Sequence, residues 1–340
     1  HWMVHSFPTR RSSDLRRRRR LNMWVGAPVS ERQCAFIAVI GAPNAGKSTL
    51  VNAVVGAKVS IVTHKVQTTR FQVRGVVTRG DVQLVLIDTP GIFSPKRRLD
   101  RAMVKAAWSG ASDADAILHI VDAPAEGRVV ANKKASGDAR SAEDVERIVA
   151  GLKAEGQKAI LVLNKVDSMP RDALLGVADK LYQTGAYSDV FMISAKTGDG
   201  IEDLRKHLET IAPAGAWMYP EDQLADLQER LIGAEITREK AMLRLHDELP
   251  YAITVETDSF KEQKDGSVRM EQTIFVARDS QKGIVLGKKG DTIKAIGSTA
   301  RAAMIEFFDR PVHLFLTVKV AENWADDKAH YENRGLNFES

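Results

Sequence analysis

A chain of 340 residues, 44% hydrophobic, 27% charged and 6% aromatic, is long enough for two domains that each bury a core, and too apolar to be disordered throughout. No run approaches the ~18 apolar residues of a membrane span, and the one cysteine, Cys34, excludes an internal disulfide and points to a reducing, cytoplasmic setting. The net charge of +5 is N-terminal in origin: seven arginines against Asp14 give residues 1–20 a charge of +6, so residues 21–340 carry −1 and any basic surface has to be local.

The segment HWMVHSFPTRRSSDLRRRRR has no apolar period, no capped helix and no apolar signal-peptide core. A basic RNA-binding arm is one reading. SFPTRRSSDL, however, resembles a translated sequencing adapter, so residues 1–22 are expected to be a non-native or artefactual extension, with the native start between Met23 and Glu31.

From 31 to 213 short apolar runs alternate with helical stretches. Strands are expected at 34–40, 71–78, 82–88, 116–122, 159–164 and 189–194, and helices near 47–56, 99–111, 141–155, 171–185 and 200–211. The near-continuous apolar character of the strands suits a mostly parallel sheet buried on both faces. Arg79-Gly80-Asp81 reads as a tight hairpin turn, so one antiparallel edge pair is expected in an α/β doubly wound domain. Residues 125–140 are polar and rich in small residues, and read as an exposed loop. Pro213, Gly215 and Pro220 mark a linker at 214–221, where Trp217 and Tyr219 are expected to pack the joint rather than stack on bases. A smaller α+β module at 222–325 follows in the order α-β-β-α-α-β: helix 222–247, strands 251–257 and 268–277, helix–turn–helix 279–308, strand 312–320. The tail 326–340 is expected to fray.

Gly41-Ala42-Pro43-Asn44-Ala45-Gly46-Lys47-Ser48, followed by Thr49, fits G-x-x-x-x-G-K-[ST] between a strand and a helix. Its backbone N–H groups and the helix N-terminus suit phosphates, Lys47 should reach the β- and γ-phosphates, and the Ser48 hydroxyl should bind Mg²⁺. Asp88-Thr89-Pro90-Gly91 ends the strand 82–88. Asp88 suits the metal and the Gly91 N–H suits a γ-phosphate oxygen. In Gln67-Thr68-Thr69-Arg70 a loop threonine, Thr69 in preference to Thr68, could complete the metal shell when triphosphate is bound. The expected catalytic set is Lys47, Thr69, Asp88 and Gly91. Ile92 stands where many GTPases place a water-orienting Gln, so intrinsic hydrolysis should be slow.

Asn164-Lys165-Val166-Asp167 follows another strand. The Asp167 carboxylate can accept from both guanine N1–H and the exocyclic amine, a pair that adenine lacks. Asn164 would tie this segment to the phosphate loop, the Lys165 stem would cover the base, and Ser194-Ala195-Lys196 would meet guanine O6 through a backbone N–H. The four motifs together predict a GTP/GDP site with Mg²⁺. The Asn44 side-chain carbonyl is a candidate K⁺ ligand, with a local turn-stabilising hydrogen bond as its alternative role.

In the second module Gly287-Lys288-Lys289-Gly290 lies between two helical stretches, as does the GXXG loop with which KH domains clamp single-stranded RNA. Lys282, Lys288, Lys289, Lys294 and Arg301 against Asp291 make a local charge of +4. Ile284, Leu286, Ile293 and Ile296 are either an apolar floor for bases or core, the latter above all for Ile293. His246 and His313 read as structural, and no Cys/His spacing suggests zinc.

GAPNAGKST, QTTR, DTPGI, NKVD and SAK resemble the Era-type GTPases. AWMYPEDQLADL resembles that family's linker, and EITREK, ELPYAITVE, RDSQKGIVLGKKG and HLFLTVKV resemble its type II KH domain. The resemblance covers about 31–325. It implies a Ras-like GTPase domain plus an RNA-binding KH domain, in a cytoplasmic monomer. Its implied partners are the 3′ end of small-subunit ribosomal RNA and the assembling pre-ribosomal small subunit, with peripheral contact to the inner membrane. Two other readings remain: a GTPase acting on another RNA such as tRNA, and a passive KH protein with a vestigial GTP site. Ala45, where Val is usual, and the long 125–140 loop are the departures.

Overall fold

The computed structural model describes residues 32–63, 69–70, 72–223, 229–247 and 249–322; the expected N-terminal extension, Gln67, Thr68 and the tail from 326 lie outside them. The first apolar run is β1 (Gln33–Gly41), which turns into α1 (Lys47–Val55). α1 ends at Gly56, whose left-handed φ of 78° lets its N–H close back on Asn52 O. β2 (Val73–Arg79) and β3 (Val82–Asp88) pair antiparallel across Gly80-Asp81, with Gly80 at φ 55°, as the hairpin reading requires. After α2 (Arg98–Ser112), β4 (Ala116–Asp122) joins β1 in parallel.

The segment read as a loop is in part a helix. α3 (Ala123–Val130) starts where the Asp122 carboxylate accepts the Ala125 N–H at 3.0 Å, and Pro124 sits in its first turn. Only about 131–137 is irregular, and the Arg128 guanidinium binds Asp138 at 2.7 and 2.8 Å across that stretch. α3 is short and marginal by propensity; packing on its neighbours α4 (Asp138–Ala154) and α5 (Arg171–Tyr182) stabilises it.

β5 (Ala159–Asn164), β6 (Tyr187–Met192) and α6 (Ile201–Ile211) complete a six-stranded sheet of order β2-β3-β1-β4-β5-β6, parallel except for β2–β3. β6 begins two residues before the expected start, because the edge strand is recruited by pairing to β5 rather than by its own apolar pattern. Leu50, Val54, Leu86, Leu204 and Leu208 fill one core, and Ile40, Ala107, Ile148, Leu152 and Val177 another. Both faces of the sheet are thus covered, which is why the strands read as unbroken apolar runs.

His119 on β4 is fully buried, with Nδ1 2.8 Å from the Tyr187 hydroxyl and no hydrogen bond at Nε2. Burial first, and the Lys47 charge second, push its pKa down to about 3. The unfolded chain takes up this proton below about 6.5 and the folded chain does not, so the contribution to stability is complete above 6.5 and is lost as pH falls. Lowering the pH from 7.5 to 5 should therefore cost about 2 kcal/mol through this one group. His119→Gln should flatten the dependence of unfolding free energy on pH between 5 and 6.5, as measured by denaturant titration.

The second module runs α7 (Glu229–Arg244), β7 (Thr254–Glu262), β8 (Val268–Val276), α8 (Asp279–Leu286), α9 (Asp291–Phe308) and β9 (Val312–Val320), in the expected order. Its sheet is β7-β8-β9, antiparallel then parallel. Ala241, Ile274, Val285, Ile296 and Val318 form its core. Ile296 is fully buried, Ile293 and Leu286 are partly buried and pack against the same core, and Ile284 is exposed, so the most deeply buried residue of this group is Ile296 rather than Ile293. The linker is held on the first sheet by the buried Gln83. Its Oε1 accepts the N–H groups of Met218 (2.9 Å) and Tyr219 (3.1 Å), and its Nε2 donates to Tyr219 O (2.9 Å). Trp217 donates to Asp81 O and lies under the Arg32 guanidinium. No helix among the described residues is long and apolar enough to cross a membrane.

Candidate functional site

At the C-terminal ends of β1, β3, β4 and β5 lies a cleft of about 520 Å³, lined among others by Asn44, Lys47, Ser48, Thr69, Gly91 and Asp122. Open α/β sheets bind ligands at such strand ends. The turn from β1 to α1 is tight. A Cβ on Gly41 would sit 2.4 Å from Ile120 O, and one on Gly46, which has φ 102°, would sit 2.2 Å from Asn164 Nδ2. Both positions exclude side chains so that the loop can approach β4 and β5. Ala42 and Ala45 are buried, Pro43 and Thr49 half-buried, and Asn44 is exposed at a left-handed φ of 63°. Among the described residues the Asn44 side chain makes no hydrogen bond, so the turn-stabilising alternative has no support there.

Lys47 is 7% exposed, and its ammonium donates to Gly41 O (3.1 Å) and Ala42 O (2.8 Å). Burial pushes its pKa down to about 8 against the pull of Asp88 and Asp144. Ser48 Oγ donates to Asp88 Oδ2 at 2.7 Å and lies 2.8 Å from Thr69 Oγ1, which itself reaches Asp88 Oδ2 at 3.2 Å. Asp88 is fully buried; burial raises its pKa against the Ser48 hydrogen bond and the Lys47 charge, and Oδ1 has no hydrogen-bond partner. Three converging oxygens and an orphaned, desolvated carboxylate oxygen fit a hard cation that keeps part of its water, as Mg²⁺ does. The described residues hold no cluster of three His, Cys, Asp or Glu side chains. A phosphate-bridging Mg²⁺ does not need one.

Thr89 Oγ1 donates to Val39 O at 2.8 Å, and Pro90 is buried. Gly91 lies against Pro43, and Ile92 N–H bonds to Gly41 O at 3.1 Å. The Ile92 side chain is fully buried in the core between sheet and helices, directed away from solvent. Asn164 acts as a three-way tie: Nδ2 donates to Ala45 O (2.8 Å), and Oδ1 accepts the N–H groups of Lys165 (2.8 Å) and Ala195 (3.0 Å). Lys165, at φ 66°, donates to Asn44 O at 2.8 Å and to the Asp122 carboxylate. Val166 opens the 3-10 turn that presents Asp167. Hydroxyls of Ser194 and Ser168 hold the Asp167 carboxyl below the usual carboxylate range. Asp167 is exposed rather than buried, so the desolvation on which base discrimination depends comes only from a base lying on it. Ser194 is buried and Lys196 exposed.

Three residues around the site were given no role by the sequence reading. Asp122 caps α3 and pairs with Lys165; its only sequence signal is a carboxylate closing an apolar strand before Ala-Pro. Arg70, 3% exposed, donates to Ile253 O (2.7 Å) and Tyr251 O (2.9 Å) of the second module. Glu239 on α7 binds Lys58 at 2.8 Å and the Val62 N–H at 3.2 Å. Burial alone would raise its pKa, but Lys58, Val62 N–H and Lys240 hold the carboxyl below its usual range. Nothing in the local pattern around Arg70 or Glu239 signals these pairings.

In the second module Gly287 (φ 73°) and Gly290 (φ 82°) bracket Lys288 and Lys289 between α8 and α9. A Cβ on Gly287 would sit 2.3 Å from Thr292 Oγ1. Both lysines and Lys294 are exposed and Lys282 is half-buried. Arg301 lies ten residues into α9, roughly 15 Å along its axis, so the fold does not gather it with the loop lysines.

A family model described as a 50S ribosome-binding GTPase matches residues 36–165, and a KH domain model matches 248–325. The chain is 60% identical to GTPase Era of Caulobacter vibrioides over 310 residues, covering 91% of this chain and 98% of that protein. It is 58% identical to GTPase Era of Maricaulis maris, with 91% and 98% covered. Two solved structures each match at 34% identity and TM-score 0.80, over 89% of this chain and 99% of theirs. One is an Era variant from Aquifex aeolicus bound to GDP and tetrafluoroaluminate. The other is Era in complex with MgGDPNP and nucleotides 1506–1542 of 16S ribosomal RNA.

Proposed function

Because this chain belongs to the Era family of GTPases, we propose that it is a GTP-driven switch whose C-terminal module binds the 3′ end of small-subunit ribosomal RNA during assembly of that subunit. The observation that carries the reading is the meeting of Ser48, Thr69 and Asp88 beside a phosphate loop that Asn164 ties to a guanine-reading segment, in a chain that also presents GXXG at a helix–helix turn. The chain hydrolyses GTP to GDP and phosphate. Mg²⁺ held by Ser48, Thr69 and Asp88 would neutralise charge on the β- and γ-phosphate oxygens. Lys47, buried and held by two loop carbonyls, would move to the phosphates. The Gly91 N–H and Thr69 would report the γ-phosphate. Since Thr69 is followed by Arg70, the same loop would carry that report to the second module. The RNA-bound Era structure supports the choice of RNA. Crosslinking in cells followed by RNA sequencing should recover the 3′ end of small-subunit ribosomal RNA; recovery of tRNA instead would overturn this choice. Peripheral membrane contact belongs to the same reading, and co-sedimentation with anionic vesicles tests it.

With Ile92 buried, we propose K⁺ as the catalytic cation, which the side-chain carbonyl of the exposed Asn44 would help to hold beside the phosphates. Turnover in KCl should exceed that in NaCl at matched ionic strength. Asn44→Ala should remove the difference while GTP affinity persists. Equal rates in the two salts would remove K⁺ from the mechanism.

A further inference from the structure

We infer that Ser60, in the segment between α1 and β2, is a positioning residue for the metal site: its hydroxyl donates to Asp88 Oδ1 and fixes that carboxylate for Mg²⁺. The inference rests on the reading that Ser48, Thr69 and Asp88 hold the metal, and names the group that keeps Asp88 in place for it. Asp88 is held on one side only. Ser48 and Thr69 both meet Oδ2, at 2.7 and 3.2 Å, while Oδ1 is buried without a hydrogen bond. Ser60 is the complementary case: it is 4% exposed, and its Oγ has no hydrogen-bond partner. Buried polar atoms are nearly always paired, so two orphans call for an explanation, and two that face each other supply one. The Ser60 hydroxyl lies against the Asp88 carboxylate, just short of hydrogen-bond geometry. With the hydroxyls of Ser48 and Thr69 and the charge of Lys47, it opposes the rise in pKa that burial imposes there. A small rotation of the Ser60 side chain satisfies both atoms.

The local chain has no packing need of a hydroxyl at this position. Val59 and Ile61 on either side are buried, and Val59 belongs to the core beneath α1. The Ser60 backbone is fixed by other groups. Asn52 on α1 accepts the N–H groups of Val59 and Ser60 through Oδ1, at 2.9 Å each, and donates to Ser60 O at 2.8 Å. Two residues away on each side, the Lys58 ammonium and the Val62 N–H donate to Glu239 at 2.8 and 3.2 Å. A hydroxyl on a segment tied at these points has few directions in which to turn. An unpaired buried polar group destabilises, and a local rule broken without compensation in the fold points to function. The chemistry at Asp88 asks for such a group. Desolvation favours the neutral acid, which holds a divalent cation poorly, and a hydroxyl donated to the far oxygen favours the carboxylate. It also leaves Oδ2 to the side where Ser48 and Thr69 stand. Partners that orient the groups around a metal are worth about 10–100-fold in metal affinity.

The test uses the full chain and follows the release of GDP carrying a fluorescent N-methylanthraniloyl group over a series of buffered free Mg²⁺ concentrations. Mg²⁺ bound between protein and phosphates should slow release, and the midpoint of that effect reads metal affinity without requiring turnover. Ser60→Ala should raise the midpoint about tenfold. It should leave release in EDTA unchanged, and hold or raise the thermal midpoint, since an unpaired buried hydroxyl is removed. Ser60→Thr should keep the natural midpoint, because it keeps the hydroxyl; a cavity of about 20 Å³ lined by Ser60, Thr69 and Val73 offers space for its methyl. An unchanged midpoint in Ser60→Ala overturns the inference. So do equal shifts in the two variants, which would make Ser60 a packing residue. Failure of the underlying metal reading shows separately, as GDP release from the natural protein that does not respond to Mg²⁺.

Discussion

Asp167→Asn should shift nucleotide preference from guanine toward xanthine, with GTP affinity falling by about 10⁴-fold. A carboxylate accepts from both guanine N1–H and the exocyclic amine. An amide accepts one and opposes the other, and the C2 carbonyl of xanthine restores the match. The fold makes the substitution clean. Asp167 sits on a short 3-10 turn whose start is fixed by Lys165 at φ 66° and by Asn164, which bonds to Ala45, Lys165 and Ala195. Its own pKa is held below the ordinary carboxylate range by the hydroxyls of Ser194 and Ser168, so it is ionised throughout the neutral range. The phosphate loop and the Ser48–Thr69–Asp88 cluster should stay intact, and Mg²⁺-dependent XTP turnover should replace that of GTP. Competition titration with GTP, XTP and ATP measures this; equal GTP and ATP affinity in the natural protein would sink the guanine reader.

Replacing both Lys288 and Lys289 by Asp should weaken single-stranded RNA binding by about 10³-fold, several kcal/mol, and make the salt slope shallower by about 1.5. The loop has little freedom to avoid the repulsion. Gly287 and Gly290 hold left-handed φ values, Lys289 itself sits at φ 52°, and α8 and α9 are anchored behind it by Val285 and Ile296. The substituted side chains are exposed, so folding should survive, and turnover without RNA should persist because the cleft is built from other elements. Electrophoretic shifts across a salt series give affinity and slope together; an unchanged affinity would place the RNA on another face.

Most of the nucleotide site was legible because its chemistry is local. Gly46 and Lys47 are neighbours in chain and in function, and each motif closes an apolar strand whose burial on both faces is written as an unbroken run. The deeper burial of Ile296 than of Ile293 was not legible, because both lie on one helix and only its docking angle separates them. Nor was α3, whose eight residues depend on the Asp122 cap and on packing against α4 and α5.

By itself the sequence determined the order of the strands and of the helices other than α3, the mixed sheet with its antiparallel edge, the candidates for the phosphate, metal and base readers, and the KH order around GXXG. These follow from period, turn chemistry and short spacings, which act over a few residues. Only the tertiary structure decided that Lys165 is held by Asp122, that Ile92 is core, that Arg70 and Glu239 join the loop behind Thr69 to the second module, and that Arg301 stands apart from the loop lysines. Those contacts join residues up to 183 positions apart or depend on the angle at which one element docks on another. A buried arginine needs only two carbonyls at the right distance, and any residue type can offer a carbonyl, so side-chain identity leaves no trace of which ones it will find.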